Sequence, residues 1–170
     1  MKIFTRFLDK LFFAAGVLLL LQLPNFADHY TQRFGGYYDA KVEQLGAYQS
    51  IADKHFDGDL EKMAQNFAEE ENNNAIKEAG AEMQKQAIEV DRLSEGKVIL
   101  EEGTLLRKVF YILFKPNMKV LSGTFNNYVP GTPFTTEALI SGLAGGLIFT
   151  GLFNLLLLSR YLFRRKKRKS

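Results

Sequence analysis

The stretch ALISGLAGGLIFTGLFNLLLL, Ala138 to Leu158, holds 21 residues and not one charge. As an α-helix rising 1.5 Å per residue it measures about 31 Å, enough to cross the ~30 Å hydrocarbon core of a bilayer. A buried helix of a soluble protein is the rival reading. Against it stand the cations immediately C-terminal: Arg160, then the unbroken block Arg164, Arg165, Lys166, Lys167, Arg168 and Lys169, with only Ser170 beyond. An uncharged run that ends in such a block is a stop-transfer pattern. The reading is a transmembrane helix over residues 135–159, and it sets the fold class: an all-α membrane protein with two spans joined by a long helical hairpin.

The second span comes from the other end of the chain. LFFAAGVLLLLQLPNF, residues 11–26, is apolar without interruption only as far as Leu21. It crosses if Arg6 and Lys10 extend their aliphatic stems toward the interface. Pro24 falls near its far end, where a kink or a stop leaves the freed carbonyl within reach of water. A cleaved signal peptide shares the basic start and the apolar stretch. Its exit is poor here, because Asn25-Phe26-Ala27 is not a small-x-small site, and an uncleaved signal anchor is the preferred reading.

Charge then orients the chain. Lys2, Arg6 and Lys10 precede the first span, and residues 160–170 form a polybasic tail. Residues 26–135 are acidic, with 12 Lys and Arg against 17 Asp and Glu. Cations flanking spans stay on the cytoplasmic side. The expectation is a two-pass protein of a bacterial inner membrane, residues 1–10 and 160–170 cytoplasmic, residues about 27–135 periplasmic. The tail is expected to lie on anionic lipid headgroups. Nucleic acid is a weaker partner for it, since the block has no interleaved aromatic residue and no domain around it to read bases.

Inside the spans, polar and small residues mark where helices meet. Asn154 is costly in hydrocarbon without a partner. A backbone carbonyl, Thr150, or Asn154 of a second copy are the partners considered, with Ala14, Ala15 and Gly16 expected at its depth on the first helix. Gly142 and Gly146 form a G-x-x-x-G pair, and Ser141 with Gly145 a parallel small pair. Such pairs let helices approach closely. They serve either packing of the two spans or self-association, and both remain open.

The hairpin is read over residues 27–103. Tyr30, Phe34, Tyr38, Val42, Leu45, Tyr48, Ala52 and Phe56 recur at helical spacing, with Gly35-Gly36 as a bend candidate. Asp57-Gly58-Asp59 stops that helix and caps a short one, Leu60 to Glu70. After a turn at Glu70 to Ala75, Ile76, Gly80, Met83, Ala87, Val90 and Leu93 stripe a second long helix, which Gly96 and Gly103 are candidates to interrupt. The two stripes are expected to pair as an antiparallel hairpin or layered coiled coil.

Residues 104–134 change character. TLLRKVFYILFKPNMKV, Thr104 to Val120, carries Arg107, Lys108, Lys115 and Lys119 and no acid. It is too short to span. It reads either as an amphipathic helix on the outer headgroups or as a segment packed under the hairpin. GTFNNYVPGTPF, residues 123–134, reads as a non-helical connector, after which Thr135 or Thr136 caps the second span.

Chemistry is sparse. The absence of cysteine excludes disulfides and thiolate sites. Asp53, His55, Asp57 and Asp59 form the one metal-like cluster, but Asp53 and Asp57 share a helix face that His55 does not. A capping turn is the better reading. No phosphate loop, dinucleotide glycine pattern, zinc spacing or nucleophile elbow occurs. The expectation is a protein that is not an enzyme and takes no cofactor.

The run LLLLQLPNFADHYTQRFGGYYDAKVEQLGAYQSIADKHFDGDLEKM resembles a family of small proteobacterial inner-membrane proteins catalogued as a domain of unknown function. The likeness rests on the span ending LQLP, the Tyr-x-Gln-Arg-Phe-Gly continuation, the IADKHFDGDL segment and the basic tail. It implies the two-span layout and transfers no functional residue. The first span here is short, and the middle is unusually rich in Asn and Glu for that family. The residues themselves support two functional expectations. One is a structural or interaction protein that self-associates or joins a larger membrane assembly. The other is a lipid-binding or envelope-sensing module acting through residues 104–120.

Overall fold

In the computed structural model the backbone is described for residues 2–131 and 135–167, and side chains for residues 4–131 and 135–159. The described residues are helical and contain no strand. Among them seven helices run in order: α1 (Lys2–Leu21), α2 (Leu23–His55), α3 (Leu60–Ala68), α4 (Asn74–Glu102), α5 (Leu105–Phe114), α6 (Met118–Asn127) and α7 (Thr136–Lys167). They divide into two compact units. The first joins residues 1–29 to residues 126–170, and the second is residues 30–125.

The first unit is an antiparallel pair, α1 against α7. Two helices are long and apolar enough to cross a membrane: the near-continuous run Phe4–His55, which holds its apolar window close to the N-terminus, and Thr136–Ser159. Only 22% of the apolar window in α7 is buried within the chain. Leu143, Leu147, Leu155 and Leu156 on α7 and Leu18 and Leu19 on α1 stand outward. A helix with an apolar exterior and one short buried seam suits hydrocarbon, not water. The helix that carries the first apolar segment begins before residue 11, at Lys2. Nor does helical structure end at Phe26. A one-residue break at Gln22 leads into α2, with the Gln22 N–H on the Leu19 carbonyl at 3.2 Å and the Phe26 N–H on the Gln22 carbonyl at 2.9 Å. Pro24 lies in the first turn of α2, where its missing N–H breaks no needed bond.

In the second unit the close helix pair is α3 on α4, α5 also meets α4, and α2 meets α4 through side chains, not as the closely paired antiparallel stripes expected. α2 passes through Gly35 and Gly36 without a break. The stop at Asp57-Gly58 is built from left-handed backbone, φ 57° and 83°. There the Gly58 N–H returns to the Ala52 carbonyl at 3.1 Å. Gln49 Nε2 donates to the Gly58 carbonyl at 2.7 Å. Asp59 then caps α3, accepting the Lys62 N–H at 2.8 Å. Asn73 caps α4 by accepting from the Ala75 and Ile76 N–H groups. Ala52, Met63, Ala64 and Met83 form a small core, ringed by Tyr48, Phe56, Leu60 and Phe67. Gly80 lets α3 lie directly on α4: a β-carbon there would meet the Ala68 nitrogen and, at 2.6 Å, the Ala64 carbonyl.

Gly96 interrupts nothing and lies mid-α4, while Gly103 ends it. The buried face of α4 is Gly80, Met83, Gln86, Leu93, Gly96 and Leu100, which puts Gln86 where the apolar stripe placed Ala87. Residues 104–120 are not one helix. Pro116 separates α5 from α6, and Asn117 caps α6 through the Lys119 and Val120 N–H groups at 3.1 and 3.2 Å. The expected connector is shortened likewise, because α6 continues through Asn127. Residues 132–134 of it lie outside the described residues.

Candidate functional site

The α1–α7 seam is set by glycine. A β-carbon on Gly16 would strike the Gly145 carbonyl oxygen, and one on Gly145 would strike the Gly16 carbonyl oxygen. The two backbones thus touch directly. One turn away, a β-carbon on Gly142 would lie 3.3 Å from the Val17 oxygen, and one on Gly146 2.5 Å from Phe13 Cε2. Phe12 and Phe153 stack with centroids 4.6 Å apart. Close van der Waals packing is what holds helices together where no hydrophobic drive exists.

The small residues picked from the sequence divide accordingly. Gly16, Gly142, Gly145 and Gly146 are buried in this seam, Ala15 and Ser141 are half-buried, and Ala14 is exposed. Within the chain Asn154 meets Asp9, not Thr150 or the depth of Ala14–Gly16. Its Nδ2 donates to Asp9 Oδ1 at 3.4 Å. The register, with Gly16 opposite Gly145, puts residue 154 about two turns nearer the start of α1. A span taken to begin at residue 11 leaves Asp9 out of consideration. A lone acid among Lys2, Arg6 and Lys10 was the available signal.

At the other end of this unit Gln22 closes a latch. Its Nε2 donates to the Gly131 carbonyl at 2.7 Å, and its Oε1 accepts from the Gly131 N–H at 3.1 Å and from the Tyr128 hydroxyl at 2.9 Å. Asn25 Nδ2 donates to the same hydroxyl at 3.2 Å. Phe26 and His29 meet the Tyr128 ring edge-on. The chain entering α7 is thereby tied to the break between α1 and α2. Thr135, not Thr136, completes the entry by accepting the Ala138 N–H at 3.2 Å.

In the second unit polar chains bridge α2 to α4. Tyr37 donates to Glu89 Oε1 at 2.8 Å, and Lys41 pairs with Oε2 of the same carboxylate at 3.1 Å. Lys97 bonds Asp39 at 2.8 Å and lies over the Tyr38 ring. Partial burial would raise the Glu89 carboxyl, but the hydrogen bonds from Tyr37 and Lys41 outweigh it and hold it below the usual range. The bond to Glu89 holds Lys41 above its usual value, and the bond to Asp39 does the same for Lys97. Tyr30 is fully buried beside Phe34 and accepts the Asn117 N–H at 3.0 Å; burial pushes its hydroxyl up.

Two open clefts flank these helices. One of about 370 Å³ is lined by Arg92, Gly96, Tyr111, Lys115 and Asn117. The other, about 660 Å³, lies along Leu60, Ala64, Met83, Ala87 and Ile88. Of the Asp53–Asp59 cluster, Asp53 accepts from the Gln49 side chain at 2.8 Å, Asp57 forms the turn, Asp59 caps α3, and His55 is exposed at the end of α2. Among the described residues, no three His, Asp or Glu side chains converge on a metal-sized site.

Of the cations assigned to lipid, Arg107, Lys115 and Lys119 are exposed and Lys108 half-buried. The side chains of Arg164, Arg165, Lys166 and Lys167, and all of Arg168 and Lys169, lie outside the described residues.

Residues 4–166 match DUF2937, a family of proteins of unknown function. The chain belongs to the DUF2937 family. The match covers both apolar helices and all that lies between, so the seam, the latch and the hairpin of this DUF2937 chain all fall inside the region the family defines. No curated protein and no solved structure matches it.

Proposed function

We propose that this DUF2937 protein is a non-enzymatic structural or interaction protein of a bacterial inner membrane, self-associating or serving as an accessory subunit of a larger assembly. In this reading α1 and α7 span the bilayer, both chain ends are cytoplasmic, and the α2–α4 hairpin is periplasmic. The observation that carries it is how the polar side chains are used. Tyr37 and Lys41 both close on Glu89, Lys97 closes on Asp39, and the Tyr30 hydroxyl holds the Asn117 N–H, so these polar groups serve bonds between helices.

In this reading association uses a surface that the chain's own packing leaves open. Gly16 on α1 and Gly142, Gly145 and Gly146 on α7 are taken up by the packing of these two helices on each other. A β-carbon on Gly151 meets no atom within 4 Å, and Ala144 is exposed one heptad earlier. That outward face of α7 is where a further helix would approach. Crosslinking and native mass measurement in mild detergent test this reading. Oligomers or a stoichiometric co-purifying subunit, lost on Gly151→Leu, support it; a strictly monomeric protein with no partner overturns it.

A further inference from the structure

We propose that the outward face of α5 and the first turn of α6 is a docking surface for an anionic lipid bilayer. Leu106, Phe110, Leu113 and Phe114 form one stripe at helical spacing on α5, Met118 opens α6 beyond Pro116, and each of the five is 58–75% exposed. The rings of Phe110 and Phe114 stack 5.9 Å apart at 13°, which makes a flat aromatic ridge. The inner face of α5 is already committed. Ile112 is buried, Tyr111 packs onto Gly96, and its ring meets Phe34 edge-on at 6.0 Å. A ten-residue helix that is apolar inward and apolar again outward needs a second apolar medium.

Charge identifies the medium. Residues 30–102 carry 16 acidic against 8 basic residues, whereas residues 103–136 carry Arg107, Lys108, Lys115 and Lys119 and no acid. The stripe is thus a cationic, apolar patch on an otherwise acidic unit. Exposed Arg107, Lys115 and Lys119 can reach phosphate level on their flexible stems while the aromatic ridge enters the acyl boundary, the arrangement of an interfacial helix. Chain length supplies the proximity. Phe125 precedes Thr136, where α7 begins, by 11 residues, at most about 40 Å of extended chain. Such a tether holds the patch at high local concentration beside the bilayer that α7 is suited to cross. The proposal goes beyond the reading above, because it stands whether or not the spans self-associate.

The chain has no tryptophan, so Phe114→Trp is a single reporter in the full-length protein. It is reconstituted in vesicles of phosphatidylcholine with or without phosphatidylglycerol, and Leu106→Trp serves as a second position should the first disturb packing. Blue-shifted emission and quenching by bromine on the lipid chains are expected, stronger with phosphatidylglycerol. Each cation lost from Arg107, Lys115 and Lys119 by change to Gln is expected to lower the docked-to-free ratio about fivefold. Three results would overturn the proposal. The first is emission fully open to aqueous acrylamide and blind to brominated lipid. The second is protection that rises with protein density, the sign of a second copy on the face. The third is lipid quenching indifferent to phosphatidylglycerol and to the cations.

Discussion

Gly145 and Gly16 are the residues on which the membrane unit turns. Their carbonyl oxygens occupy the space where side chains would begin, so any addition must part the helices. Gly145→Leu is expected to lower the stability of the detergent-solubilised protein by about 1–3 kcal/mol. Gly151→Ala, inside α7 with open space around it, is expected to cost nothing and to gain up to about 1 kcal/mol from helix propensity. Thermal melting of the two variants side by side checks the contrast. Glu89 is the corresponding residue of the hairpin. Its carboxyl is held below the reference value of 4.5, so the stability it contributes is present above that pH and is lost as pH falls through the lower folded value. Acid titration of thermal stability should show this loss, and Glu89→Gln should flatten it. Gln86 shows where residue-level reading stops. It is buried, its Nε2 reaches Glu82, and its Oε1 has no partner. Spacing had put Ala87 in its place, and a pattern of apolar types cannot nominate an amide.

Among elements, the connector between α6 and α7 gains its order from one side chain. Gln22 makes three bonds to Tyr128 and Gly131. Gln22→Ala removes the acceptor of the Gly131 amide and leaves the Tyr128 hydroxyl only the Gln22 backbone carbonyl at 3.3 Å, a loss of about 0.5–1.5 kcal/mol per bond. Faster hydrogen exchange at Gly131, with the Gly16–Gly145 seam unchanged, is the expected signature. α5 and α6 teach a related lesson. Sequence pattern shows an apolar, basic stretch and offers two settings for it, on a membrane or under the hairpin. One face packs on the helices of its own unit and another stands exposed, a division that depends on where α4 presents Gly96 to Tyr111. The length of the uncharged runs made both spans legible, whereas their ends were not. Helix α1 gains its first two turns from residues that are not apolar enough to count toward a span.

For the whole molecule the governing expectation is its threading. A chain without cysteine allows each side to be read by one introduced thiol. In intact cells Glu71→Cys is expected to react with an impermeant maleimide delivered to the periplasm, and Ser170→Cys only after the inner membrane is opened. Labelling of both, or of neither, in intact cells would contradict the threading that charge predicts. The amino-acid sequence alone established an all-helical chain with two apolar runs, the caps at Asp59 and the stop at Asp57-Gly58, because length, charge and capping are local properties. Only the tertiary structure decided that Gly16 meets Gly145, that Asn154 turns to Asp9, that Gln22 grips Gly131, and that Tyr37 and Lys41 share Glu89. Each of those joins residues far apart in the chain, and their meeting depends on helix register and rotation, which no local pattern encodes.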